Sequence, residues 1–160
     1  MKQLWAPWRL EYIQGVDTGD GCFLCRAAAT GDEKALVVHR GGLAFVLLNK
    51  FPYVSGHLMV APYSHVGEFG DLSHEEALEI HRLASAGLGA LAETTRPQGY
   101  NLGWDLGRVA GAGIVDHVHL HVVPRWAGDT NFMPVLADVK IMPEHLADTR
   151  RKLATAWPRA

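Results

Sequence analysis

Three histidines stand at alternate positions in the stretch His117-Val118-His119-Leu120-His121-Val122-Val123-Pro124. A period of two is the period of a β-strand. It predicts a strand with His117, His119 and His121 on one face and Val118, Leu120 and Val122 turned into a core on the other. Three adjacent imidazoles are poor packing material, because each carries polar nitrogens that need partners. The pattern therefore points to a metal site or to an imidazole that does chemistry on a substrate. The plainer alternative is a His-rich surface strand.

The rest of the chain is ordinary for a globular protein. It has 160 residues, of which 48% are hydrophobic and 20% charged, which fits one domain with terminal extensions. A net charge of −2 implies no general affinity for nucleic acid or acidic membranes. No apolar run is long enough to span a bilayer, and Met1 to Leu10 lacks the apolar centre of a signal peptide. The expected location is the cytoplasm. There, the Cys22-x-x-Cys25 pair suggests metal or redox chemistry in place of a structural disulfide.

Residues 1–21 read as an irregular arm containing Trp5 and Trp8, followed by a domain over 22–160 with a C-terminal extension. A short helix is expected over Cys22 to Ala29, stopped at Gly31. Apolar runs at Ala35 to His39 and Leu43 to Leu48 flank Gly41-Gly42, as in a hairpin with a two-residue turn. A strand at His57 to Ala61 is ended by Pro62. Ser73 and Glu76 have capping-box spacing, so a helix should run from there to about Thr94, with Ala77, Ile80, Ala84, Leu88 and Leu91 as its apolar stripe. Gly87 and Gly89 inside it imply close packing against the sheet. Gly99 to Trp104 is another strand, and a last helix is expected over Pro143 to Trp157. Hairpin-linked strands with helices outside the strand run describe an α+β domain on an antiparallel sheet of about five strands.

A glycine-rich loop, Gly107 to Gly113, leads directly into the histidine stretch. It is either a plain turn or a place where successive backbone N–H groups hold phosphate oxygens. A neutral imidazole is a competent nucleophile toward phosphorus if its other ring nitrogen is held by an acceptor. The central histidine, His119, is best placed for this.

Together with Leu48-Asn49, Phe51 to Val60 and Trp126 to Pro134, these residues resemble the histidine triad superfamily of nucleotide hydrolases and transferases. Within it they resemble the bacterial branch related to diadenosine tetraphosphate phosphorylases. The resemblance implies the histidine triad fold, with sheets paired in a homodimer, and an adenine nucleotide or dinucleoside polyphosphate as substrate. It implies that His119 is the catalytic nucleophile and that His121 contacts the phosphate or the leaving group. It also implies that Asn49 holds the ribose and that Gly111, Gly113 and the residue at Asp105 face the phosphates. His57 matches a histidine near the site, or is simply a hydrogen-bonded strand residue.

Two departures stand out. Many members have a Gln in the approach to the triad, where this chain reads Ala110-Gly111-Ala112-Gly113. Many have Asn where this chain has Asp105, a carboxylate that needs a proton, a cation such as Arg108, or a ribose hydroxyl for company. Zinc-bearing relatives resemble the cysteine pair, which implies a structural zinc held by Cys22, Cys25, His65 and His117. Free thiols and a redox pair are the alternatives. The expected activity is cleavage of a nucleoside phosphate anhydride through a nucleotidyl-histidine. An adenosine 5′-phosphoramidase, a nucleotide-binding regulator with little turnover and a zinc-binding interaction module are the competing readings. His39, His74, His81 and His145 are expected as surface or capping residues, and the Arg150-Arg151-Lys152 run as a solvated helix face.

Overall fold

The computed structural model describes residues 21–129 and 144–158. The expected arm over 1–21, apart from Gly21, lies outside the described residues, as do Pro143 and the end of the segment from Trp126 to Pro134.

Five antiparallel strands form one sheet in the order β1-β2-β3-β5-β4. They are β1 (Val37–Arg40), β2 (Ala44–Leu48), β3 (Leu58–Pro62), β4 (Gly99–Trp104) and β5 (Leu120–Arg125). The helices are α1 (Phe23–Ala29), the four-residue α2 (Asp32–Ala35), the long α3 (His74–Thr95) and α4 (Leu146–Thr155). The α+β architecture is as expected. Every residue of β2 and β3 is buried, which explains why these strands read as continuous apolar runs.

Both faces of the sheet are covered, and the period-two rule sorts the side chains between them. Val46, Leu48, Leu58, Val60, Leu120 and Val122 pack with Ile80, Ala84 and Leu91 of α3 and Leu153 of α4. Phe45, Leu47, Met59 and Ala61 face the other way and pack with Leu24 and Ala27 of α1. A seven-residue helix is not stable alone. Full burial of Leu24 contributes about 1.5–3 kcal/mol. Arg40 adds a polar tether. Its guanidinium donates to the carbonyls of Ala28 and Thr30, both at 2.7 Å, and of Ala27 at 3.3 Å, and its Nε donates to Asp32 Oδ1 at 2.7 Å.

Several local expectations need adjustment. The hairpin between β1 and β2 turns through three residues, because Gly41 N–H already bonds Ala44 O. The Glu79 carboxylate of α3 plugs that turn, accepting from the N–H groups of Gly42 at 2.6 Å and Leu43 at 2.9 Å. A Cβ at Gly41 would lie 2.1 Å from Glu79 Oε1 and 2.9 Å from Ala44 O, so a side chain there would displace the carboxylate from the turn. Ser73 and Glu76 form the expected capping box, but the apolar stripe of α3 is rotated: Ala77 is exposed and Leu83 and Ala90 are buried. Gly87 does mark close packing, since a Cβ there would meet Leu58 Cδ1 at 3.2 Å. Gly89 would meet only Pro158, at an ordinary 3.9 Å. Helix α4 starts at Leu146, with His145 as its N-cap.

The main correction concerns the histidine stretch. β5 begins at Leu120, so only His121 lies in the strand. Val118 N–H donates to Val66 O at 2.8 Å, outside the sheet. His117 and His119 sit on the segment leading into β5, and all three rings are buried.

Candidate active site

His119 is 7% exposed, and its Nδ1 lies 2.9 Å from the His117 carbonyl oxygen. A carbonyl only accepts, so Nδ1 carries the proton and donates it. Nε2 is then left with its lone pair. Burial pushes the His119 pKa below the ordinary histidine value, and the charge on His117 adds to this against the raising effects of that hydrogen bond and of Asp105. The ring is therefore neutral near pH 7 with its tautomer fixed, the form a nitrogen nucleophile requires.

His121 is fixed from a different direction. Residues 49–57 make a tight turn into β3, in which Asn49 N–H bonds His57 O and His57 N–H bonds Val54 O. Inside that turn, Tyr53 N–H donates to His57 Nδ1 at 3.1 Å. A backbone N–H only donates, so His57 Nδ1 is an acceptor and Nε2 bears the proton. His57 Nε2 lies 2.8 Å from His121 Nδ1, which makes that nitrogen an acceptor in turn. His121 Nε2–H then points outward and lies 3.6 Å from Asp105 Oδ2. Burial and the neighbouring His119 bring the His121 pKa down to about 4, against the opposing effect of Asp105.

Register explains why Asp105 is there. β4 pairs with β5 so that Gly103 faces His121, and Asp105 follows just past the strand end. Its Oδ2 also accepts from the Tyr53 hydroxyl at 3.3 Å, and the Tyr53 ring stacks near both His57 and His121. Asn49 is buried. Its Oδ1 accepts from Phe51 N–H at 2.9 Å and its Nδ2 faces His57 Nδ1 at 3.5 Å. Asn49 thus shapes the turn that aims His57.

The glycine loop is more self-contained than expected. Residues Arg108–Ala110 form a 3-10 turn. The N–H groups of Ala110, Gly111 and Ala112 bond to the carbonyls of Gly107 and Arg108, so the Gly111 N–H is spent inside the turn. Gly111 serves the loop through its φ of +103°, a conformation that favours glycine. Gly113 is not part of this internal set.

The second cluster brings together all four expected metal ligands. One atom from each of Cys22, Cys25, His65 and His117 lies within 4.8 Å of the others. His117 Nδ1 is 3.3 Å from Cys22 Sγ and 3.5 Å from Cys25 Sγ, and His65 Nδ1 is 3.3 Å from Cys25 Sγ. Cys22 sits at the N-cap of α1. Burial pushes its thiol up, but hydrogen bonds from His117 and from the Cys25 and Leu24 N–H groups, with the His117 charge, bring it down to about 6. Burial and the adjacent Cys22 raise the Cys25 thiol. His117 Nε2 lies 3.0 Å from the Pro62 carbonyl, so Nε2 carries a proton and Nδ1 is the nitrogen that faces the two thiols. His65 Nε2 faces Asp116 Oδ2 at 3.6 Å.

Tyr53, Asp116 and the Pro62 carbonyl had no signal in the sequence. Two readings of surface residues also change. His39 stacks on Trp157 with ring centroids 4.8 Å apart. Arg150 leaves the solvated face, donating to Val37 O at 2.7 Å, while Arg151 and Lys152 remain exposed.

Residues 30–128 match the family model described as HIT domain. The chain is 38% identical over 167 residues to the AP-4-A phosphorylase of Mycobacterium tuberculosis, covering 99% of this chain and 86% of that one. It is 30% identical to an adenosine 5′-monophosphoramidase of Schizosaccharomyces pombe, over 65% of this chain and 74% of that one. Among solved structures, a Zn-bound histidine triad family protein from Mycobacterium smegmatis superposes with a TM-score of 0.68 at 22% identity, covering 85% of this chain and 92% of that one. With its sheet, its buried triad and these matches, the chain belongs to the HIT domain family.

Proposed function

We propose that the protein is a nucleotidyl hydrolase or transferase that cleaves a phosphate anhydride of an adenine nucleotide, with a diadenosine polyphosphate as the substrate type. The observation that carries this is the fixed neutral tautomer of His119. Its Nε2 lone pair attacks the α-phosphorus. A P–N bond forms, and the bond to the leaving phosphate breaks with its electron pair on oxygen. Nδ1–H stays on the His117 carbonyl and shares the positive charge that develops on the ring. Water or inorganic phosphate then attacks the same phosphorus and returns the electron pair to Nε2. His121 Nε2–H, with the N–H of Gly113, stabilises charge on the phosphoryl oxygens. The 38% identical phosphorylase supports the anhydride as substrate. Replacing His119 with Ala should lower turnover of diadenosine tetraphosphate by at least about 10⁴-fold, since covalent catalysis is lost, while nucleotide binding by calorimetry persists. Turnover near the wild-type rate would remove the nucleophile assignment.

The four-residue cluster fits a structural zinc. Two thiol groups and two imidazoles form the tetrahedral donor set that zinc prefers, and a reducing, cytoplasmic setting keeps such thiols available. The outer contacts fit too: Pro62 O holds the His117 tautomer and Asp116 faces His65, as carbonyls and carboxylates do behind metal-bound histidines. Purified protein should contain about one zinc per chain. Cys22→Ser should lower both zinc content and melting temperature. Elemental analysis of chelator-free protein that found no zinc would leave free thiols as the reading.

We also assign a homodimer. β4 is an edge strand of the sheet and carries Leu102 at 47% exposure, and such edges call for cover. Sedimentation at micromolar concentration should give twice the chain mass, and a monomer there would contradict the assignment.

Asp105 shapes the choice of substrate, because its carboxylate faces the same His121 N–H that a phosphate would use. Asp105→Asn should tighten diadenosine tetraphosphate more than AMP, by about 1 kcal/mol or roughly fivefold per added charge. Equal changes in the two dissociation constants would place Asp105 away from the phosphates.

A further inference from the structure

Cys22 and Cys25 are the only cysteines of the chain, and both are free thiols. Their place in the fold makes them a pair. Cys22 is the N-cap of α1, and Cys25 stands three residues on, in the first turn. At the start of α3 the same spacing brings the Ser73 and Glu76 side chains within reach of the opposite residue's backbone, as in any capping box. The two sulfurs lie within 4.8 Å of one another and of the His65 and His117 nitrogens. One helix turn carries both, so no distant element has to move for them to meet. The cluster also has a closed end and an open end. His117 is 1% exposed, whereas the side chains of His65 and Asp116 are 46% and 66% exposed. The Cys25–His65 contact at 3.3 Å lies on the open side, and both cysteines are only half-buried. A small oxidant in water reaches the sulfurs from there.

We infer that Cys22 and Cys25 form a reversible disulfide when they meet a peroxide, and that this bond dismantles the zinc site and lowers turnover at the adjoining triad. This rests on the zinc and nucleotidyl-transfer readings above and adds a regulation to them. One thiolate attacks a peroxide oxygen. The O–O bond breaks, a sulfenic acid forms, and the departing hydroxide takes a proton to become water. The second thiolate attacks that sulfur and displaces hydroxide, which also becomes water. Two thiolates, one hydrogen peroxide and two protons thus give one disulfide and two waters. Each sulfur loses one electron and the peroxide gains both. A thiol reductant reverses the bond by exchange. Disulfide sulfurs carry no charge, and the two imidazoles that remain fall short of a tetrahedral ligand set. His117 then keeps the Pro62 carbonyl at Nε2 but loses its hold at Nδ1. Its backbone carbonyl is the acceptor for His119 Nδ1, so a looser residue 117 leaves the proposed nucleophile less firmly aimed. In a reducing compartment such a bond is transient, as suits a sensor.

The test uses the full, zinc-loaded chain and a slight excess of hydrogen peroxide, with a chromogenic zinc chelator present. Zinc should be released in step with the loss of alkylatable thiols, about one zinc for each thiol pair. The tryptic peptide 10–26 holds both cysteines and no methionine. Its mass should fall by two hydrogens, and the protein should still run as a single chain in a non-reducing gel. Turnover of diadenosine tetraphosphate should drop about tenfold or more, the scale on which loss of an orienting partner lowers activity. Dithiothreitol followed by zinc should restore it. Thiols and zinc that survive the peroxide would overturn the inference. So would added oxygen on peptide 10–26, a disulfide between chains, or undiminished turnover by the oxidised protein. A chain that takes up no zinc sinks the zinc reading, and absence of turnover before oxidation sinks the nucleotidyl-transfer reading. In either case the peptide mass and the thiol count still decide whether the disulfide forms.

Discussion

One carbonyl oxygen, that of His117, joins the two chemical centres of this protein. It accepts from His119 Nδ1 at 2.9 Å, and the ring of the same residue reaches into the Cys22 and Cys25 thiols. The proposed nucleophile is therefore held by the backbone of a residue whose side chain is gripped elsewhere. A rotation of the His117 peptide plane would release the His119 tautomer, and the thiol cluster resists that rotation. This explains why a fold of this size keeps two polar clusters so close together. Buried polar groups are costly unless each finds a partner, and among the described residues no buried side-chain nitrogen or oxygen lacks one.

The second constraint is the turn before β3. Its peptide groups hold Asn49 and His57, and through them it orients His121 from 64 residues away in the chain. Two separate backbone elements thus define the two working histidines. A carbonyl leaves His119 Nε2 as an acceptor, and an N–H acting through His57 leaves His121 Nε2 as a donor. A site that needs one lone pair and one proton-bearing nitrogen obtains both from rings that are identical in composition.

Much of this was legible in the sequence because it is local. The alternate histidines, the capping box at Ser73 and Glu76, the Cys-x-x-Cys pair and the strand limits Gly99 and Trp104 are all written within a few residues. The family resemblance then supplied the pairing of Cys22 and Cys25 with His65 and His117, which spacing alone does not fix. The remainder was hidden for a physical reason. Period two placed all three histidines on a strand, but His117 turns toward Pro62 O and the thiols, and the ladder starts only at Leu120. The Tyr53–Asp105 contact joins residues 52 apart, and a backbone N–H that aims an imidazole leaves no trace in residue identity. Ala77 was misplaced because an alanine suits either face of a helix, whereas Leu83 had to find the core.

The Arg40 guanidinium has a consequence for how the molecule opens. It binds three carbonyls at the end of α1 and the Asp32 carboxylate beyond it, and so fastens the helix that carries Cys25, with Cys22 at its N-cap, to the edge strand β1. Because α1 cannot persist alone, strand and helix form a single cooperative unit in the sense of a foldon. Fraying of β1 would remove this tether and leave the helix held by the packing of Leu24 and Ala27 on β2 and β3. The rim of the sheet farthest from β4 therefore adds a polar hold on the helix beside the thiol–imidazole cluster. A lysine at that position could replace the charge but not the fork of donors.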